Sequence, residues 1–140
     1  MKYLGIDYGS KRVGVAISDD GGTFAFPLKI ISNDPFLIEA ISKICSTENV
    51  GEIVLGESFD LSGKPNKIMG DINDFKKNLE ESLKLPVHFQ KEFMTTIEAR
   101  GREGKEVNNA KKVAKGEQAQ ADASAAALIL QRYLEKKNLK

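Results

Sequence analysis

Leu4-Gly5-Ile6-Asp7-Tyr8-Gly9-Ser10-Lys11-Arg12-Val13-Gly14-Val15-Ala16-Ile17 reads as two β-strands joined at a glycine turn, with one aspartate inside the first. A period of two puts Tyr3, Gly5 and Asp7 on one face of that strand and Leu4, Ile6 and Tyr8 on the other. In the second strand Val13, Val15 and Ile17 share a face, while Gly14, Ala16 and Ser18 leave the opposite face open to close approach. A carboxylate within such an apolar strand has to be hydrogen-bonded, paired or metal-bound, because burying it alone is costly. Asp7 is therefore the first candidate for chemistry.

Working outward, Asp19-Asp20-Gly21-Gly22 is a turn signal, and residues 23–31 read as a third strand. Pro27 cannot donate a ladder hydrogen bond, which assigns that strand to an edge. Three strands joined by short turns make an antiparallel meander. The period then changes. Asp34-Pro35 supplies an N-cap and a first-turn proline, and Phe36, Leu37, Ala40, Ile41, Ile44 and Cys45 form a helical stripe ending near Glu48.

Residues 52–56, bounded by Gly51 and Gly56, suit a short buried parallel strand, with a functional loop through Asp60, Ser62, Gly63 and Pro65 at its carboxyl end. A second helix carries Ile68, Ile72, Phe75, Leu79 and Leu83, and Pro86 ends it. Residues 87–93 read as the last strand, with Glu92 at its carboxyl end, and Thr95-x-x-Glu98 is a capping box opening a further helix. The final helix, residues 119–137, places Asp122 on one stripe with Ala126, Ile129 and Tyr133.

At 140 residues the chain is expected to be one domain. Its 41% hydrophobic and 29% charged residues, with no apolar run of membrane-spanning length, predict a soluble protein without a membrane partner. The first residues lack the apolar run and cleavage site of a secretory signal, so a cytoplasmic location is expected. One cysteine, Cys45, and one histidine, His88, exclude an intramolecular disulfide and a cysteine/histidine zinc cluster, so any metal would be held by oxygen.

The net charge of +1 gives no global pull toward polyanions, but charge is unevenly placed. Arg100, Arg102, Lys105, Lys111, Lys112 and Lys115 face only Glu103 and Glu106 in a segment rich in glycine and asparagine, which reads as a basic loop. Together with Lys11, Arg12 and Lys91, these residues are the candidates for contacting nucleic-acid phosphates.

Three antiparallel strands followed by helix, strand, helix, strand and helices predict an α/β protein. The expected fold is a ribonuclease H-like three-layer α/β/α domain with a five-stranded mixed sheet in the order 3-2-1-4-5. Ligands of such sheets collect beyond the carboxyl ends of the strands, a region within reach of Asp7, Glu92 and Asp122. Clustered carboxylates repel one another unless a hard cation lies between them, which points to Mg²⁺ or Mn²⁺. Such ions support in-line hydrolysis of a phosphodiester without a cysteine or histidine nucleophile.

Residues 5–16, the segment Met94-Thr95-Thr96-Ile97-Glu98-Ala99 and residues 122–130 resemble, in order, three motifs of the YqgF family of RuvX-type Holliday junction resolvases. The resemblance spans essentially the whole chain. It implies a metal-dependent endonuclease acting on pre-16S ribosomal RNA, at its 5′ end, or on branched DNA, as a monomer or homodimer. It also implies that Asp7, Glu92 and Asp122 are the catalytic acids.

Two departures stand out. Lys91 and Phe93 flank Glu92 where the family has aspartate and arginine, and Gly56-Glu57-Ser58 stands in place of Gly-Leu-Pro. The second change makes Glu57 a candidate replacement or additional metal ligand. The first motivates an alternative, a nucleic-acid-binding or ribosome-assembly factor that keeps the fold with weakened catalysis. Residues 5–10 also resemble the phosphate-binding hairpin of the actin and sugar-kinase superfamily, whose two lobes need a longer chain.

Each candidate also has a structural reading. A hairpin aspartate caps its own turn, a first-turn acid such as Asp122 answers the helix dipole, and a strand-end glutamate is often merely solvated. His88, between Val87 and Phe89, reads as structural.

Overall fold

The computed structural model describes residues 1–93 and 115–139, with the side chains of 93 and 115–122 outside that description. Five strands, β1 (Lys2–Tyr8), β2 (Arg12–Ser18), β3 (Ala25–Ser32), β4 (Val50–Phe59) and β5 (Val87–Phe93), form one sheet in the order β3-β2-β1-β4-β5. Among the described residues three helices, α1 (Leu37–Glu48), α2 (Met69–Leu83) and α3 (Lys115–Asn138), cover its two faces. This is the α/β three-layer arrangement and strand order expected from the sequence.

Central β1 runs antiparallel to β2 and parallel to β4, and β4 runs parallel to β5. The two parallel pairs are those connected through α1 and α2, as parallel pairing requires a crossover. Pro27 does sit on the edge strand, opposite Ala16 where the β2–β3 register shifts.

The strand alternation sorts two cores. On one face Leu4, Ile6, Val13, Val15, Ile53 and Leu55 pack with Leu37 and Ile41 of α1 and Ile72, Phe75 and Leu79 of α2. On the other, Tyr3, Ala16 and Val54 pack with Ala126, Ile129, Leu130 and Leu134 of α3. Truncating a fully buried leucine in either core, such as Leu4 or Leu130, costs about 2–5 kcal/mol.

The α3 face is tight because its strand residues are small. A Cβ on Gly5 would lie 2.7 Å from the Leu130 Cβ and 3.0 Å from the Ala126 carbonyl oxygen, so α3 rests on the bare backbone of β1. Gln131 ties the helix to the meander, its Oε1 accepting from the Ala25 amide at 2.8 Å and its Nε2 donating to the Thr23 carbonyl at 3.1 Å. Asn138 Nδ2 donates to the Gly22 carbonyl at 3.0 Å.

Three local expectations are corrected. Strand β4 continues past Gly56 to Phe59, because Gly56 is the position over which Ile129 packs rather than a strand end. Helix α1 starts at Leu37, since Asp34 closes a turn ahead of it: its Oδ1 accepts from the Phe36 amide at 2.9 Å and its carbonyl from Leu37 at 3.0 Å. Phe36 is consequently off the buried stripe, at 67% exposure. Helix α2 ends at Leu83, before Pro86, with Lys84 in the left-handed region at φ 58° and its amide on the Glu80 carbonyl.

The capping box at Thr95 and the helix expected after it lie outside the described residues. Among the described residues no helix is long and apolar enough to cross a membrane.

Candidate functional site

Asp7 lies near the carboxyl end of β1, on the α3 face it shares with Tyr3 and Gly5. Its neighbours across the sheet are made small by sequence. Gly14 of β2 is its register partner, and on the β4 side the pairing of Ile6 with Leu55 brings Gly56 alongside. The Asp7 carboxylate thus borders two hollows. One of about 290 Å³ lies under the β1–β2 turn with Gly9, Ser10, Lys11 and Arg12, and one of about 150 Å³ lies over the strand tips with Gly56, Glu57, Ser58 and Glu92.

Glu92 enters the second hollow from β5. It pairs in register with Ser58 and lies on the α3 face, where Ile129 also lines the hollow. Its side chain is 14% exposed, and Oε2 accepts a charge-assisted hydrogen bond from Arg132 Nη1 of α3. The other oxygen, Oε1, is buried and has no hydrogen-bond partner among the described residues. That carboxylate pushes the Arg132 guanidinium above its ordinary value, chiefly through the hydrogen bond and then through direct charge attraction. A buried carboxylate oxygen left without a donor is the electrostatic demand that a hard cation satisfies. Asp7 and Glu92 line one hollow and offer oxygen donors, the ligand type a hard divalent cation takes, and among the described residues no third acid, cysteine or histidine clusters with them.

The β1–β2 turn is pinned from α1's approach. Asn33 donates its side-chain amide to the Gly9 carbonyl at 2.7 Å and its backbone amide to the Lys11 carbonyl at 2.9 Å. Lys11 and Arg12 are both exposed at the rim of the larger hollow. The loop after β4 is closed on itself by Asp60. Asp60 Oδ1 accepts from the Ser62 hydroxyl at 2.6 Å and from the Ser62 and Lys64 amides at 2.9 Å each. These bonds, the Ser62 hydroxyl first, hold the Asp60 carboxyl below its ordinary value.

Glu57 lines the same hollow, although alternation along β4 turns it to the α1/α2 face with its register partner Lys91. Lys91 is exposed and its Nζ stands 5.6 Å from the Phe59 ring centroid, on the face away from Glu92. His88 Nε2 lies 2.6 Å from Glu52 Oε1 and its ring stacks on Tyr133 at 5.3 Å between centroids, remote from Asp7.

Asp122 falls within α3, one helical turn before Ala126, and its side chain lies outside the described residues. The helix runs against β1, with Leu134 near Gly22 and Tyr3 and then Leu130 and Ala126 over Gly5. Continuing that run by one turn, about 5.4 Å, carries the backbone of residue 122 toward the Asp7 end of the strand. The side chain of Lys115 is likewise outside the described residues, as are Arg100, Arg102, Lys105, Lys111 and Lys112 altogether.

Arg132 did not emerge from the sequence. Its only signal there is a place three residues after Ile129, on the rim of the apolar stripe.

A five-stranded sheet in the order 3-2-1-4-5, with helices on both faces, is the ribonuclease H-like fold. Similar solved folds are the Thermus thermophilus RuvC structure (TM-score 0.55, 14% identity, 98% of this chain and 96% of that one). The fowlpox virus Holliday junction resolvase is similar to the same degree (TM-score 0.54, 15% identity, 97% and 99%). Residues 1–136 match the sequence model of RuvX, described as Holliday junction resolvase, and the chain belongs to that family. Among its relatives is a protein of Maridesulfovibrio salexigens named "Putative pre-16S rRNA nuclease", 34% identical over 137 residues and covering 96% of this chain and 98% of the relative. A protein of the same name from Lactobacillus helveticus is 36% identical over 141 residues, covering 96% of each.

Proposed function

We propose that this chain is a divalent-metal-dependent endonuclease of structured nucleic acid, with the 5′-extended precursor of 16S ribosomal RNA as its first substrate and branched DNA as its second. The observation that carries this reading is Glu92 Oε1, a buried carboxylate oxygen without a donor among the described residues, in the hollow that Asp7 also lines.

In this reading Asp7 and Glu92 hold the metal from β1 and β5, and Asp122 joins them from α3 as the third acid. Glu57 is the reserve ligand from the rim. When bound, Mg²⁺ or Mn²⁺ lowers the pKa of a water and stabilises the departing oxygen during in-line attack on the phosphodiester. The chain's own part is to fix the acids on regular strands and a helix rather than on loops, so that their separation does not change on binding. Lys11 and Arg12 receive the phosphates next to the cleaved bond, and the basic residues Arg100, Arg102, Lys105, Lys111, Lys112 and Lys115 extend that contact along the strand. Lys91, on the other face, contacts a more distant phosphate.

The test is a cleavage panel with a 5′-extended 16S precursor and a four-way DNA junction, each in Mg²⁺, Mn²⁺ and EDTA. Metal-dependent products from the RNA, with slower or no cutting of the junction, are expected. Preferential junction cleavage reverses the substrate order. Because Lys91 and Phe93 flank Glu92, a second reading is a binding factor without turnover, and salt-sensitive binding with no product in any metal selects it.

A further inference from the structure

Arg132 answers a question that the acid pair leaves open, namely what keeps one Glu92 oxygen turned into the hollow. The guanidinium belongs to a helix held firmly against one face of the sheet. Three residues earlier Ile129 packs over Gly56, and one residue earlier Gln131 is bonded twice to the β3 approach. From that fixed base Nη1 takes Glu92 Oε2, which leaves Oε1 as the buried oxygen without a partner among the described residues.

The exposures are unequal. The Arg132 side chain is 53% exposed and that of Glu92 14%. A pair whose cation is half solvated contributes little to stability, since water and salt screen it. Its effect on the carboxylate is different in kind, because a hydrogen bond to Oε2 narrows the rotation of the carboxylate and favours the orientation that leaves Oε1 in the hollow.

Resting on the metal-dependent reading above, we infer that Arg132 is a positioning residue: it holds Glu92 by Oε2 so that Oε1 is presented to the divalent metal. Outer partners of metal ligands commonly raise affinity ten- to a hundredfold by removing the ligand's rotational freedom. The opposing effect is repulsion between the guanidinium and the metal. It is screened at a half-exposed cation, whereas freeing a buried carboxylate acts without screening, so orientation wins. Lysine at this position restores a charge and a donor, but carries them on a flexible stem rather than on a rigid planar group.

The experiment is calorimetric titration of EDTA-treated protein with Mn²⁺ alone, comparing wild type, Arg132→Met, Arg132→Lys, Glu92→Gln and Asp7→Asn, with melting temperatures measured in parallel. Arg132→Met is expected to fold with a somewhat lower melting temperature, because Glu92 loses its hydrogen-bond partner, and to weaken Mn²⁺ binding about tenfold; Arg132→Lys should recover part of that loss. If Arg132→Met binds Mn²⁺ as tightly as wild type, or more tightly, while Glu92→Gln binds it weakly, the positioning role is wrong and the metal site stands. If Glu92→Gln and Asp7→Asn also bind Mn²⁺ like wild type, the metal site itself is wrong and the role of Arg132 falls with it.

Discussion

Leu130 Cβ lies 2.7 Å from the point where a Cβ on Gly5 would stand, so helix α3 is seated directly on the β1 backbone, one alternation before Asp7. The close seating couples the fold to the site. The spacing between α3 and the sheet sets how near Arg132 and the backbone of residue 122 come to the acids on β1 and β5.

Gly5→Ala should therefore destabilise the protein by about 1–3 kcal/mol, since the added methyl meets a Cβ and a backbone carbonyl that cannot turn aside. Gly56→Ala should cost less, because its Cβ would meet the Ile129 Cδ1, the free end of a flexible side chain. Urea denaturation of the two variants measures the difference, and equal losses would show that α3 adjusts as a rigid body.

Ser18 is 2% exposed, and its Oγ accepts from the Tyr3 amide at 2.8 Å and donates to the Asp19 carbonyl at 2.8 Å. Ser18→Ala leaves the Tyr3 N–H buried without an acceptor and should cost about 1–3 kcal/mol in the same denaturation assay. Ser18→Thr, which keeps the hydroxyl, should cost less if the added methyl is accommodated.

Asp19 gives the acid dependence of stability a defined sign. Hydrogen bonds from the Phe24 amide and then the Thr23 amide hold its carboxyl below the ordinary value of 3.8. A carboxyl lowered by folding stabilises above its unfolded pKa, and that stabilisation is lost as pH falls through the lower folded value. The stability difference between wild type and Asp19→Asn should accordingly shrink as pH drops below about 4, measured by urea midpoints at successive pH values. A constant difference across that window would mean that these two amides do not discriminate between the charged and neutral acid.

The β1–β2 turn makes a prediction about binding. Lys11→Ala should weaken binding to a four-way DNA junction in EDTA and make the slope of log K against log salt shallower by about 0.9, the share of one phosphate contact. An unchanged slope would place Lys11 away from the bound backbone. Fluorescence anisotropy across a salt series measures both quantities.

Much of this arrangement is legible in the sequence because strands advertise their faces. The alternation in residues 3–17 separated the α1/α2 core from the α3 core, and Pro27 correctly marked an edge. Gly56 misled, since a glycine can end a strand or make room above one, and only the contact with Ile129 distinguishes the two. Phe36 misled for a related reason: Asp34 offered its carboxylate to a turn just before the helix. The positions of Asp7 and Glu92 at the carboxyl ends of β1 and β5 were readable from strand alternation and length. Arg132 was not, because its pairing with Glu92 spans 40 residues and depends on how α3 crosses β5.

Metal-dependent cleavage is tested most directly by the single-turnover rate of Asp7→Asn against wild type on the 5′-extended 16S precursor in saturating Mg²⁺, with matched circular dichroism and melting temperature. The substitution removes the charge while keeping the size of the side chain. The expected result is a folded variant that forms no product above the EDTA background. A folded Asp7→Asn that cleaves at the wild-type rate would contradict it.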